Sequence, residues 1–333
     1  MKTKIQIIHF SPNLFEKSGI LTYYQTVKKY SDKEHKIFKP IMLNNKLKIF
    51  LRNKVIIYFI ETVVNTLYLF IKHCKSKQFM IYHIHQVSTT YPLIVSRILK
   101  IKGIWHLHET NFNYQYNLLY RFGGLFISKN LSTKVFVSKK SKESFRSDGR
   151  VIYHPVDYNY WENKKDYSNN RIICVANYNQ LKGYDRLIEA LIINQFPYDL
   201  EFSFYGKKLV TQRKYIKKLF DLKRQLPNNI VVNLNDSVDK VELKKIYSES
   251  TFFILPSRTE SLPFALLESV ASGCVSIFTD VGDLKTIFGK KYPLLINKKS
   301  HKAILNAIDK AVSYDVKDRK DIASKCNKLL KEK

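Results

Sequence analysis

The sequence predicts an α/β protein built on parallel sheets and divided into two domains. Three observations carry this. Apolar runs of four to seven residues recur at 5–10, 79–85, 103–108, 171–176, 201–205, 252–255 and 275–278, long enough for buried strands and too short for helices. Several stretches of helical spacing lie between them, and that alternation marks parallel strands joined by crossover helices. The chain has 333 residues, enough to bury a large core and to fill two domains rather than one.

Hydrophobic residues make up 45% of the chain and charged residues 26%, a globular composition. Charge is the unusual feature: 57 Lys and Arg stand against 28 Asp and Glu, a net of +29. It is also uneven, with a net of +19 over residues 1–155 and +10 over the remainder. A basic amino-terminal half calls for an anionic partner: a membrane surface, polyphosphate or nucleic acid. The four cysteines, Cys74, Cys174, Cys274 and Cys326, have no paired spacing. They fit a reducing compartment and suggest neither a disulfide framework nor a zinc site. The start, MKTKIQIIHF, is a short strand-like run ended by Ser11-Pro12 and not a secretory signal, so a cytoplasmic location is expected.

In chain order, residues 5–10 read as a first buried strand, 11–19 as a loop closing on Gly19, and 20–30 as a helix. Residues 55–71 are apolar apart from Tyr, Thr, Glu61 and Asn65, and are flanked by Lys48, Arg52, Lys54, Lys72, Lys75 and Lys77. This reaches only the lower edge of a spanning helix, and Glu61 at its centre would be costly in hydrocarbon. A helix that is buried or lies on the surface is therefore predicted, its aromatics and basic flanks suited to a membrane surface. The runs FMIYHIH and GIWHLH read as strands rich in histidine, with His83, His85, His106 and His108. Taken singly, such histidines are ordinarily structural. Residues 133–138 form a further strand, and 150–157 a strand and turn before a polar, Asn-rich stretch at 158–170 that reads as a linker. The second domain then alternates strand 171–176, helix 184–193, strand 201–205, strand 230–234 and helix 241–247.

The richest stretch is TFFILPSRTESLPFALLESVASGCVSIFTDVG, residues 251–282. A four-residue strand breaks at Pro256, Ser257 and Thr259. A helix follows, with Ser261 as its expected cap and Pro263 in its first turn. Leu266, Leu267 and Val270 line its apolar face, and Gly273 ends it where a left-handed residue is wanted. Glu260 lies in the loop at the strand's carboxyl end and Glu268 in the helix. Ligands of open α/β sheets sit at that edge, beside helix amino termini. The helix start attracts phosphate, while a carboxylate there can accept two hydroxyls of a vicinal diol. A molecule with both a diphosphate and paired hydroxyls fits: a nucleotide-sugar.

LPSRTESLPFALLESVASG resembles the donor-site motif of retaining glycosyltransferases of family 4, the large GT-B group, and the resemblance covers most of the chain. It implies a GT-B architecture: two Rossmann-like domains facing each other across a cleft, residues 1–155 for the acceptor and 156–333 for the donor, with the tail 312–333 packing back on the first domain. It implies metal-independent, retaining transfer of a hexosyl-type group, in keeping with the lack of a short Asp-x-Asp element in a strand-end loop. No cofactor is expected beyond a donor such as a UDP- or GDP-sugar. By resemblance, Glu268 holds the ribose diol and Glu260 the donor-sugar hydroxyls, assisted by backbone at Ser261, Leu262, Pro263 and Phe264. His108 falls beside the anomeric carbon, and Lys182 with Gly183 takes the diphosphate. The sequence departs from the family in two places. Only Ser18-Gly19 remains of a paired-glycine turn, and Asn177 stands where the family has an arginine, leaving Lys207, Lys208 and Arg258 as substitute phosphate partners.

The charge points to a glycan or polyprenyl-diphosphate-linked acceptor at an anionic membrane surface. That fits bacterial surface-polysaccharide assembly by a protein peripheral to the inner face of the membrane. Two rivals come from other classes: a catalytically degenerate GT-B binding protein, and a basic nucleic-acid-binding protein. The second lacks any helix–turn–helix, zinc or RNA-binding signature, so no nucleic-acid partner is expected.

Overall fold

The computed structural model describes residues 5–11, 19–44, 47, 51, 54–76, 78–87, 89–109, 133–193, 196–297 and 300–333. The chain divides into two compact units, Met1–Pro155 and Val156–Lys333.

In the first unit the strands are β1 (Gln6–Phe10), β2 (Glu34–Ile37), β3 (Met80–His85), β4 (Lys102–Leu107), β5 (Thr133–Phe136) and β6 (Arg150–Val151). All pair in parallel, in the order β2-β1-β3-β4-β5-β6. Helices α1 (Gly19–Lys29), α2 (Lys54–His73), α3 (Tyr91–Ile98) and α4 (Lys139–Phe145) connect or cover them. Strand alternation sorts the side chains by face. Ile8 and Phe10, Tyr82 and Ile84, and Trp105 and Leu107 join one apolar core with Leu69 of α2 and Leu93 and Val95 of α3. The residues between them are His9, His83, His85 and His106, all buried.

Helix α2 is longer than the sequence predicts. Its Val55–His73 portion is long and apolar enough, by length and composition alone, to cross a membrane, though only 11% of the most apolar window is buried. The two polar residues near its centre hold backbone. Glu61 Oε1 accepts from Leu43 N (2.9 Å), while Asn65 Oδ1 accepts from Ile41 N (2.7 Å) and Asn65 Nδ2 donates to Ile41 O (2.8 Å). This pins the 41–43 segment along the helix and fixes which side faces the core. The opposite side leaves Ile56, Phe59, Val63, Leu67 and Ile71 exposed.

In the second unit the strands are β7 (Arg171–Val175), β8 (Leu200–Tyr205), β9 (Ile230–Asn235), β10 (Phe252–Leu255), β11 (Val275–Thr279) and β12 (Leu295–Ile296), ordered β12-β11-β10-β7-β8-β9 and again parallel. The central strands β10 and β11 are buried at every position, as expected of a parallel sheet covered on both faces. The helices are α5 (Tyr158–Trp161), α6 (Tyr184–Ile193), α7 (Arg213–Lys223), α8 (Lys240–Glu249), α9 (Phe264–Ala271), α10 (Leu284–Phe288), α11 (His301–Ser313) and α12 (Val316–Lys331).

One expectation is corrected here. Residues 158–170 are no free linker. Asp157 caps α5, Trp161 is buried edge-on against Tyr247, and Arg319 donates to the carbonyls of Tyr167 and Asn169. The tail packs within the second unit: α12 lies on α9, α10 and β11, and Asn327 Nδ2 donates to Val270 O and Ala271 O. The short strands β2 and β12 went unpredicted because four and two residues carry too little periodicity to read.

At the carboxyl edge of the second sheet, four loops approach one another at three points closer than any side chain allows. A Cβ on Gly183 (φ +74°) would lie 2.0 Å from Pro256 O, one on Gly206 1.9 Å from Ala176 O, and one on Gly282 (φ +58°) 2.2 Å from Ser261 O. We expect Gly183→Ala to destabilise the fold by more than the roughly 1–2 kcal/mol of a left-handed non-glycine residue, because the neighbouring backbone must also move. Urea unfolding of the two proteins measures this; a loss under 0.5 kcal/mol, about the size of an ordinary surface substitution, would show that the loops are not so tightly joined.

Candidate functional site

The second unit gathers Lys182, Gly183, Ser257, Glu260 and Gly282 at the carboxyl ends of β7, β10 and β11. Asn179 caps the turn Gln180–Lys182 by accepting from Leu181 N, and Gly183 closes that turn. The turn is tied to the next loop by Arg258 N donating to Leu181 O (2.7 Å). Lys182 Nζ and Ser257 Oγ both donate to Glu260 Oε1, each at 2.7 Å. The pair is mostly withdrawn from water, with the Lys182 side chain 25% exposed and the Glu260 side chain 9%. The cation and the acid that the sequence assigns to one ligand are thus in direct contact.

Helix α9 starts two residues later than predicted. Pro263 occupies the cap position, and no side chain caps the helix, so Ser261 does not play that part. Proline offers no acceptor to the first-turn amides, which suits a helix start meant to receive a ligand. Gly273 adopts φ +81° just beyond the helix, as predicted. Glu268 is buried in α9, and among the described residues no donor pairs with its carboxylate. Burial pushes its pKa up to about 8, with the Lys240 charge acting the other way.

The remaining candidates fall into place as follows. Asn177 Oδ1 accepts from Lys207 N (3.3 Å), so the residue at the family's arginine position braces the loop after β8. Lys208 pairs with Asp236 (3.2 Å). Arg258, expected as a phosphate partner, instead makes a two-pronged pair with Asp185 at 2.7 and 2.9 Å and donates to Gln180 O. Asp185 also accepts from Tyr215 and Lys218. Burial opposes its ionisation, yet Arg258 and these donors hold it below the ordinary carboxylate range. Sequence reasoning missed both Asp185 and Ser257. An acid one residue into a helix is an ordinary first-turn choice, and Ser257 read only as a loop breaker.

Gly19 is the exposed first residue of α1, while Ser18 lies outside the described residues. His108, in the first unit, follows β4 and stands among other histidines. His85 Nδ1 and His108 Nε2 are 3.1 Å apart, and the His108 ring stacks on His106 (4.4 Å between centroids) and on His154 (5.2 Å). Burial and neighbouring histidines hold His108 well below the usual imidazole pKa, so it is neutral near pH 7. Glu109 is pushed up to about 7 by burial. Its backbone carbonyl accepts from Ser141 Oγ.

The profile of a family described as glycosyl transferases group 1 matches residues 158–328, just over half of the chain. The chain belongs to the glycosyl transferases group 1 family. Two curated relatives match in part. The Bacillus subtilis glycosyltransferase TuaC, assigned to teichuronic acid biosynthesis, is 43% identical over 56 residues, 17% of this chain and 14% of its own length. An uncharacterised glycosyltransferase of Methanocaldococcus jannaschii is 27% identical over 175 residues, 52% of this chain and 46% of its own length. The chain therefore spans less than half the length of either curated relative. Among solved structures, HepE of Anabaena in complex with UDP superposes with a TM-score of 0.73 at 16% identity, covering 99% of this chain and 95% of that one. Sucrose-phosphate synthase of Thermosynechococcus elongatus superposes with a TM-score of 0.77 at 13% identity, covering 99% and 94%. These likenesses show the fold, and it is GT-B.

Within this group 1 glycosyltransferase fold, Glu268 offers a direct measurement. The folded protein keeps its carboxyl protonated up to about 8, whereas the unfolded chain releases that proton near 4.5. The stability it contributes is complete below pH 4.5 and is lost as pH rises toward 8. Glu268→Gln should therefore gain on the parent between pH 5 and 8, with a slope approaching 1.4 kcal/mol per pH unit. A pH-independent difference in urea midpoints would mean that Glu268 is ionised throughout.

Proposed function

We propose that this protein is a retaining, family 4-type glycosyltransferase that moves a sugar from a nucleotide-diphosphate sugar to a glycan or polyprenyl-diphosphate-linked acceptor. The observation that carries the reading is the contact between Lys182 and Glu260 beside the uncapped start of α9. On donor binding, Lys182 turns from the Glu260 carboxylate to the diphosphate, and Glu260 takes sugar hydroxyls in exchange. Glu268 receives the ribose diol. His108, held neutral, stands ready to hydrogen-bond a sugar hydroxyl near the anomeric carbon. As the bond from that carbon to the phosphate oxygen breaks, Lys182 and the α9 amides stabilise the charge growing on the leaving nucleotide, in the place a metal ion would otherwise take. HepE in its complexes with UDP and with UDP-glucose supports a UDP-sugar as the first donor to try.

The acceptor side of the proposal rests on α2. Ile56, Phe59, Val63, Leu67 and Ile71 form a stripe at helical spacing, from 41% to 71% exposed, with Lys72 and Lys75 at its carboxyl end. An apolar stripe with cationic flanks matches an anionic bilayer surface, where a lipid-linked acceptor and surface-polysaccharide assembly would be found.

Thermal-shift screening with UDP-, GDP- and ADP-sugars should raise the melting temperature for one base, since a ligand of the folded state stabilises it. With that donor, Glu260→Ala should lower transfer by at least 100-fold. A donor that binds but is never turned over, with any acceptor, would favour a binding protein instead. In sedimentation at low salt, the protein should pellet with anionic vesicles more than with neutral ones, and Phe59→Asp with Ile71→Asp should cut that fraction by more than half. Equal pelleting with both vesicle types removes the membrane reading.

A further inference from the structure

Seven of the nine histidines lie in one layer of the first unit, on the sheet face opposite its apolar core. The strand register builds it. His9 pairs with His83 across β1 and β3, and His85 with His106 across β3 and β4, so the four side chains share a face. Tyr23 of α1 covers the layer edge-on, with ring centroids 5.5, 4.8 and 5.6 Å from His85, His106 and His108. One row of imidazoles runs along the strand ends nitrogen to nitrogen: His35 to His9 at 2.8 Å, His9 to His85 at 3.0 Å and His85 to His108 at 3.1 Å. A second row joins His83 to His106 at 3.2 Å.

We propose that His85, His106 and His108 form a binding site for a divalent transition-metal ion of the imidazole-preferring kind, with Zn2+ as the reference ion. One ring nitrogen from each lies within 4.8 Å of the other two. Tetrahedral zinc with bonds of about 2.0–2.1 Å holds its nitrogen ligands about 3.3 Å apart, so small ring rotations close the set. His85 Nδ1 and His108 Nε2 already face each other at nearly that spacing.

The outward nitrogens are what single out this triad. A ligating imidazole ordinarily donates its second N–H to an acceptor that fixes its tautomer. With metal on Nδ1, His85 donates from Nε2 to His9 Nδ1, which passes the same tautomer on toward His35. With metal on Nε2, His106 donates from Nδ1 to His83 Nε2. That Nε2 of His106 is buried and has no hydrogen-bond partner among the described residues, an unmet requirement that a cation would satisfy. His108 is only half-buried, which leaves a fourth position reachable by water. A second triad, His9, His83 and His85, converges as closely, but all three members are buried. Three imidazoles and no carboxylate select zinc, cobalt, nickel or copper over magnesium or calcium, which take oxygen ligands. The inference concerns the first unit alone; bound metal would take His108 from the sugar hydroxyl of the donor reading, so its test reads metal binding and not transfer.

The test uses untagged protein and Co2+ alone, read by visible absorption, followed by displacement with Zn2+ and metal analysis. One equivalent of Co2+ per chain with ligand-field bands lost on adding Zn2+, and a raised melting temperature reversed by a chelator, is the expected result. His106→Phe and His108→Gln should each weaken binding at least ten-fold, while His301→Ala should leave it unchanged. If either variant fails to fold, imidazole nitrogen NMR of the unaltered protein decides, because zinc should shift the resonances of three histidines and not of His73 or His301. No cobalt band at stoichiometric metal, or binding that survives both variants, overturns the site and leaves the layer a hydrogen-bonded network only.

Discussion

The second unit depends on loops that are drawn together at the carboxyl edge of its sheet until backbone touches backbone. Gly183 against Pro256, Gly206 against Ala176 and Gly282 against Ser261 leave no room for a Cβ. That crowding brings the turn bearing Lys182 and the loop bearing Glu260 into register, so that one ion pair spans the ends of β7 and β10. A parallel sheet makes this edge the natural one for a site, because every strand delivers its following loop to the same side. Arg258 and Asp185 reinforce the junction, tying the same loop to the first turn of α6. Their pairing makes Arg258 a brace between the two segments.

The acids of the motif differ in environment more than in sequence. Glu260 meets a lysine and a serine hydroxyl at one oxygen, whereas Glu268 is buried in α9 with no donor among the described residues. A carboxyl without donors inside a protein stays protonated, and two hydroxyls from a ligand would supply what is missing. In the first unit, His106 keeps one buried nitrogen without a hydrogen-bond partner among the described residues.

Helix α2 shows how composition alone misleads about environment. Its apolar content passes a length test for a membrane span, yet Glu61 and Asn65 hold the 41–43 backbone against one side of it. Polar groups so engaged orient the helix, leaving one stripe of large apolar side chains turned outward.

Much of the fold was legible in the primary chain, since short apolar runs and glycine stops depend only on neighbouring residues. Strands β1, β3, β7, β8, β10 and β11, helices α1, α6 and α9, and the left-handed turn at Gly273 follow from such local rules. The strand–loop–helix unit of residues 251–273 was legible too, because its residues lie close together in the chain. Register and long-range pairing were not. That Lys182 reaches Glu260 across 78 positions, that Arg258 is neutralised by Asp185, that residues 158–170 and the tail pack on the second unit, and that histidines from separate strands form one layer were decided by tertiary structure. Such contacts depend on which strands lie side by side, and no local periodicity encodes that order.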